Sequence, residues 1–210
     1  MIRHAAFPGY SIKIGARREF DSRELQAIYQ FRASVFHERL DWQVDLLGGM
    51  EVDAYDALDP VYLVMLDRAG TVCACLRMLP TTAPYMLRNT FTGLLQDMEF
   101  PASEKIVELS RFAVAASDQR GYGLSLLTGR VIRAAIDYGY RQGIEQYVTV
   151  TTPALERLLT GSGLQMRRLC GPARIDVEDA LALVIDIPSS YRTLNPGRRV
   201  DDTAEVPPTD

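Results

Sequence analysis

The feature that most constrains this chain is the order in which two hydrophobic periods follow one another. Leu25, Ile28, Phe31, Val35 and Phe36 recur at helical spacing behind Asp21 and Ser22, either of which caps a helix start. A helix is therefore expected from there to about His37. Val61–Leu66 and Thr71–Leu79 then read as two strands about a turn at Asp67–Gly70. Pro80 and Pro84 break the pattern before a short helical piece at Met86–Leu95, and Lys105–Ala115 reads as a further strand. A helix over Leu124–Arg141, a β-branched strand at Gln146–Thr151 and a helix opened by Pro153 and closed at Gly161 or Gly163 follow. Met166–Cys170 and Ala180–Ile187 supply the last strands, while Ser11–Gly15 alternates weakly and is expected at an edge. Such an order predicts an α/β fold, a single mixed sheet flanked by helices. One domain is expected over 1–187, with 188–210, where apolar density falls, as a disordered tail.

Composition narrows the chemistry. With 47% apolar and 24% charged residues, the chain has material for a substantial core. No run is long and apolar enough to span a membrane, and Met1–Tyr10 lacks the apolar stretch of a secretory signal, so a cytoplasmic protein is expected. A net charge of −4 argues against general nucleic-acid binding. Cys73, Cys75 and Cys170 have no metal-ligand spacing. Cys73 and Cys75 are expected on one face of a strand, as small core residues. The two histidines, His4 and His37, make no nucleophile–base pair or metal cluster with them, so no metal is expected on these residues and chemistry must rest on carboxylates, arginines and backbone groups. Among the basic residues only Lys13 and Lys105 are lysines; arginine suits bidentate grips on carboxylate or phosphate.

Three groups of residues can carry chemistry. Asp45, Glu51, Asp53, Asp56 and Asp59 crowd an irregular stretch, Leu40–Asp59, of the kind that tends to be functional. They read as a solvated loop, a divalent-metal site or a pocket for a cationic ligand. Glu108-Leu-Ser110-Arg111-Phe112 lies on a strand. In a regular strand Glu108 and Ser110 point one way and Arg111 the other, with Glu108 either facing solvent or part-buried with a raised pKa, suited to take a proton from an amine. Asp118-Gln-Arg-Gly121-Tyr-Gly123 precedes a helix, where backbone N–H groups can hold phosphate. It is similar to the coenzyme A turn of GCN5-type N-acetyltransferases, except that Asp118 replaces the usual Arg or Gln.

Taken in order, Arg32-x-x-Val35-Phe36, Trp42, Glu51-x-Asp53-x-Tyr55-Asp56, Arg77, Thr82-x-Pro84-Tyr85 and Glu108-Leu-Ser110-Arg111-Phe112 resemble the acyl-homoserine lactone synthases of the LuxI type. The likeness runs from about Ile12 to Ile187. It implies a fold similar to the GCN5-type N-acetyltransferases, with acyl carrier protein as acyl donor, S-adenosylmethionine (SAM) as co-substrate and no permanently bound cofactor. The product is a quorum-sensing autoinducer. Arg32, Phe36 and Trp42 match a mobile N-terminal lobe, about residues 30–60, that closes over SAM. Asp53, Asp56 and Arg77 match residues that organise this lobe, and Glu108, Ser110 and Arg111 match the acidic strand at the reaction centre. Thr149 and Thr151 are expected in the acyl tunnel, where the family's threonine accompanies 3-oxo products. Thr82–Phe91 resembles long-chain producers. Pro153–Arg174 carries Arg157, Arg167, Arg168 and Arg174 against Glu156 alone, and is the expected docking patch for an acidic carrier protein. The alternative is a GCN5-type acetyltransferase using acetyl coenzyme A.

Overall fold

The computed structural model of the chain describes residues 3–7, 9–95, 98–116, 125–175 and 178–197. The glycine turn at Asp118–Gly123 lies outside them. Strands β1 (Arg3–Phe7), β2 (Tyr10–Ala16), β5 (Val61–Asp67), β6 (Val72–Pro80), β7 (Ile106–Val114), β8 (Gln146–Thr151), β11 (Glu178–Asp186) and β10 (Ala173–Ile175) run side by side in that order, and β9 (Met166–Arg168) also pairs with β11. A small ribbon, β3 (Leu46–Leu47) with β4 (Met50–Glu51), stands apart. The pairing is antiparallel except between β7 and β8. Residues 11–15 thus lie inside the sheet, because β1 takes the edge.

One face of the sheet is covered by α3 (Leu126–Arg141), α4 (Pro153–Gly161) and α5 (Ile187–Leu194). The other carries α1 (Ser22–Ala33) and the short α2 (Met86–Asn89). Local chemistry starts each long helix: Asp21 caps α1 in a reciprocal box with Glu24, Ser125 caps α3, and Thr152 caps α4 with Pro153 at its first turn. Strand alternation sends Leu63, Met65, Tyr147 and Ile185 to the α3 face, and Tyr62, Val64, Val148 and Val184 to the α1–α2 face. Gly139 lets α3 sit close: a Cβ there would lie 2.5 Å from the hydroxyl of Tyr147, which donates to the Ala135 carbonyl.

Two further expectations change. Residues 187–194, mostly within the segment expected to be a tail, form α5, capped by Asp186, with Tyr191 stacked on Tyr140 of α3 at 3.9 Å. Its apolar residues are few but concentrated on one face, so falling density concealed it. Cys73 and Cys75 are both buried, yet they pack on opposite faces. The register passes from Met65–Ala74 to Leu66–Val72, leaving Cys73 as a bulge that breaks the alternation.

Candidate active site

Past Ala33 the α1 helix widens into a π-helical turn, Ser34–Arg39, and the Trp42 backbone N–H returns to the Phe36 carbonyl. This brings the Trp42 ring flat onto Phe36, centroids 5.2 Å apart. Helical irregularities of this kind concentrate at functional sites.

Behind that stack lies a buried ion-pair network of three guanidiniums and three carboxylates. Asp56 accepts both terminal nitrogens of Arg32 at 2.8 and 3.0 Å, one from Arg77 at 2.8 Å and the Tyr62 hydroxyl at 2.6 Å. Glu51 lies between Arg32 and Arg111, and Asp53 between Arg77 and Arg111. Asp53 also caps the 3-10 turn Ala54–Leu58 that presents Asp56. Burial pushes the Asp56 carboxyl up, but Arg32 and Arg77 outweigh it and hold it well below the usual carboxylate range. Burial and the adjacent Asp56 push the Tyr62 hydroxyl the other way.

The acids of the irregular stretch therefore divide. Asp45 is exposed, whereas Glu51, Asp53 and Asp56 are spent on arginines. With three positive and three negative charges the network is internally neutral, so it is neither a solvated loop nor a free cation pocket. Glu51 is fully buried between two arginines, which its place in an irregular, acid-rich stretch gives no local sign of.

Arg111 departs from the regular-strand expectation. Ser110 faces Arg77 and Ala113 faces Cys75, so β7 has one residue more than β6 over this interval. Arg111 takes up the slack with a left-handed backbone, φ 52°. Arg111 thereby points to the same face as Glu108 and Ser110, reaching Glu51 and Asp53, while Ser110 accepts from Arg77 Nε at 3.1 Å.

Glu108, 1% exposed, accepts the backbone N–H groups of Met86 at 2.7 Å and Leu87 at 2.6 Å. These are the first N–H groups of α2, whose own N-cap residue, Tyr85, supplies no side-chain bond. Among the buried carboxylates of the described residues, Glu108 is the one without a guanidinium contact. Burial raises its pKa to about 7, against the opposing pull of the Leu87 and Met86 N–H groups and the more distant Arg77 and Arg111 charges.

The pairing of β7 with β8 spans Ile106–Leu109 against Gln146–Thr149, although both strands run on. A cavity of about 470 Å³ lies where they part, lined by residues from both faces of the sheet. Phe36, Trp42, Met86, Glu108, Ser110 and Arg111 line one end; Ile132, Ile136, Thr149, Thr151, Leu159 and Leu164 line the other. Arg32, Asp53, Asp56 and Arg77 stand behind the wall instead of in it. The Thr151 hydroxyl is buried without a hydrogen-bond partner, which is unusual for an interior polar atom.

A family model described as autoinducer synthase matches residues 17–193. The chain belongs to the autoinducer synthase family. It is 40% identical, over 84% of its length and 89% of the relative's, to an acyl-homoserine-lactone synthase of Pseudomonas aeruginosa. The crystal structure of the AHL synthase LasI superposes with a TM-score of 0.83 at 39% identity, covering 91% of this chain and 98% of that one. A CoA-dependent acyl-homoserine lactone synthase, BjaI, solved with SAM and isopentyl-CoA, matches at TM-score 0.78 and 25% identity, covering 86% and 85%. An acyl-CoA N-acyltransferase from Pseudomonas aeruginosa, at TM-score 0.58 and 16% identity, shares the fold alone. This synthase is thus an acyltransferase on an N-acetyltransferase-like sheet, and the acetyl coenzyme A alternative gives way to acyl-homoserine lactone synthesis. None of its described helices is long and apolar enough to cross a membrane.

The expected docking arginines of the synthase do not make one patch. Arg157 and Arg168 share the α4 side, where Arg168 grips Glu156 with two bonds of 2.6 Å. Arg167, its strand neighbour, points to the opposite face, and Arg174 pairs with Asp179 on the β10–β11 hairpin.

Proposed function

We propose that this synthase joins the acyl group of an acyl-acyl carrier protein to SAM, closes the lactone and releases methylthioadenosine. Glu108 carries the reading. The arginine–carboxylate network cancels its own charge, so Glu108 is the buried carboxylate left to complement SAM, which adds an ammonium and a sulfonium to one carboxylate. Trp42, stacked on Phe36 by one face, offers the other to that cation. Residues of about 30–60, tied to β6 and β7 through Arg77 and Arg111, close over it.

Glu108 takes the amine proton directly or through water, and the free amine attacks the acyl thioester carbon. Backbone N–H groups of β7 beyond Leu109, which have no ladder with β8, stabilise the oxyanion. Collapse forms the amide and expels the carrier thiolate, which takes up a proton. The methionine carboxylate then displaces the neutral thioether from the carbon beside the sulfonium, closing the ring. That step needs a folded conformer and no protein nucleophile.

The acyl chain lies against Ile132, Ile136, Leu155 and Leu159, and the product is long-chain and 3-oxo: the unpaired Thr151 hydroxyl supplies the donor that such an oxygen lacks in an apolar tunnel. Arg157 and Arg168, which share the α4 side, steer the acidic carrier. The test is parallel turnover of SAM with 3-oxo-acyl carrier protein and with the same acyl-CoA, following methylthioadenosine. Preference for the carrier-bound donor is expected. Equal or better turnover of the CoA thioester, as the BjaI precedent allows, overturns the donor assignment.

A further inference from the structure

A guanidinium has five N–H donors, and one buried out of reach of water must place all of them. Arg77, 1% exposed, does so. Nε–H goes to Ser110 at 3.1 Å; one terminal nitrogen goes to Asp53 and Asp56 at 2.5 and 2.8 Å; the other goes to Asp53 at 2.9 Å and to the Met86 sulfur at 3.1 Å. The fifth acceptor is a thioether. Arg111 approaches the same sulfur at 3.6 Å. Met86 also donates its backbone N–H to Glu108 and lines the cavity. One residue therefore holds the ion-pair network with its side chain and the reacting carboxylate with its main chain.

We infer that Met86 is a positioning residue for the synthase reaction: its sulfur ties the start of α2 to Arg77 and Arg111 and so keeps the Met86 and Leu87 N–H pair on Glu108. The inference rests on the proposed role of Glu108. An apolar side chain of equal size fills the same space but leaves a buried guanidinium N–H without an acceptor, so the packing of Tyr85 and Leu87 is kept while the polar tie of α2 to the network is lost. The charged groups facing Glu108 are Arg77 from β6 and Arg111 from β7; the buried Tyr85 hydroxyl before α2 is the other titratable neighbour, pushed up to about 12 and so neutral throughout, and the two N–H donors of α2 close the Glu108 oxygens. Loosening those donors removes what favours the carboxylate form.

The experiment compares wild type, Met86→Leu and Met86→Gln, whose amide oxygen restores an acceptor, in kcat against pH with both substrates saturating. Met86→Leu is expected to lower kcat about tenfold, short of the roughly 10²-fold that a full ångström of misplacement can cost. It should also move the acidic limb of the profile upward by about one pH unit. Met86→Gln should return the limb towards wild type. A Met86→Leu profile with wild-type kcat and limb, or a Met86→Gln profile no nearer wild type than Met86→Leu, overturns the inference, since packing alone then explains the residue. A Glu108→Gln control separates this from failure of the base assignment: if the limb persists in that variant, it never belonged to Glu108.

Discussion

At the front of the cavity three guanidiniums and three carboxylates satisfy one another down to a sulfur atom; at the back, apolar side chains surround one hydroxyl that nothing satisfies. The front is over-determined because a buried charge without a partner is costly, so each ion demands the others. The back needs no such closure, since a hydrocarbon wall asks only for volume, and its one unpaired hydroxyl, that of Thr151, is left to take a partner from outside. Front residues should then report on folding and geometry, back residues on selectivity.

The largest effect falls at the front. Arg32→Ala strips Asp56 of a bidentate partner and Glu51 of one of two, and is expected to cost about 3–5 kcal/mol of stability in urea unfolding. Thr151→Val is expected to cost nothing measurable in the same assay, because it removes a buried hydroxyl that has no bond to lose. Similar losses for the two would erase the distinction between the ends.

Next comes Glu108→Gln, expected to lower kcat by roughly 10²–10⁴-fold, the usual loss for one general base. Its amide nitrogen cannot accept, so one α2 N–H also loses its partner. In wild type, turnover should climb as pH rises towards about 7 and then level, because the base works deprotonated. Stability runs the opposite way through the same carboxyl. Held above its ordinary 4.5, Glu108 binds its proton more tightly folded than unfolded, so its contribution fades as pH rises from about 4.5 to about 7. Asp56, held low, contributes above the ordinary carboxylate range and fails only in acid. A pH–rate profile without a limb near neutrality would remove Glu108 from the chemistry.

At the back, Thr151→Val is expected to reduce preference for 3-oxo over unsubstituted chains of equal length by roughly 0.5–1.5 kcal/mol, one ordinary hydrogen bond, read by competition. Unchanged selectivity would leave the hydroxyl without a purpose. The smallest effect is outside both ends: Arg157→Glu should raise the Michaelis constant for the carrier protein at low salt, and that rise should vanish at high salt.

Element positions were largely legible. The helical spacing before His37, the Asp67–Gly70 turn and the β-branched run at Gln146–Thr151 are local signals, and the structure places α1, the β5–β6 hairpin and β8 on them. Residue direction was less so. Alternation mispredicted Arg111 and paired the two cysteines wrongly, because a bulge inserts a residue without a glycine or proline to announce it. The docking arginines, close in sequence, separate onto two faces for the same reason that any adjacent strand residues do.

What the sequence determined by itself is the set of chemical groups and their order: three arginines, the acids after Trp42, one glutamate between apolar strand residues, and the family they mark. Which acids are neutralised and which is left over was decided only by the tertiary structure. Charge compensation depends on distances between β4, the turn after it, β6 and β7, and those are set by sheet register and one left-handed residue at Arg111. A carboxylate's burial and partners belong to its neighbours in space, and no local pattern encodes them.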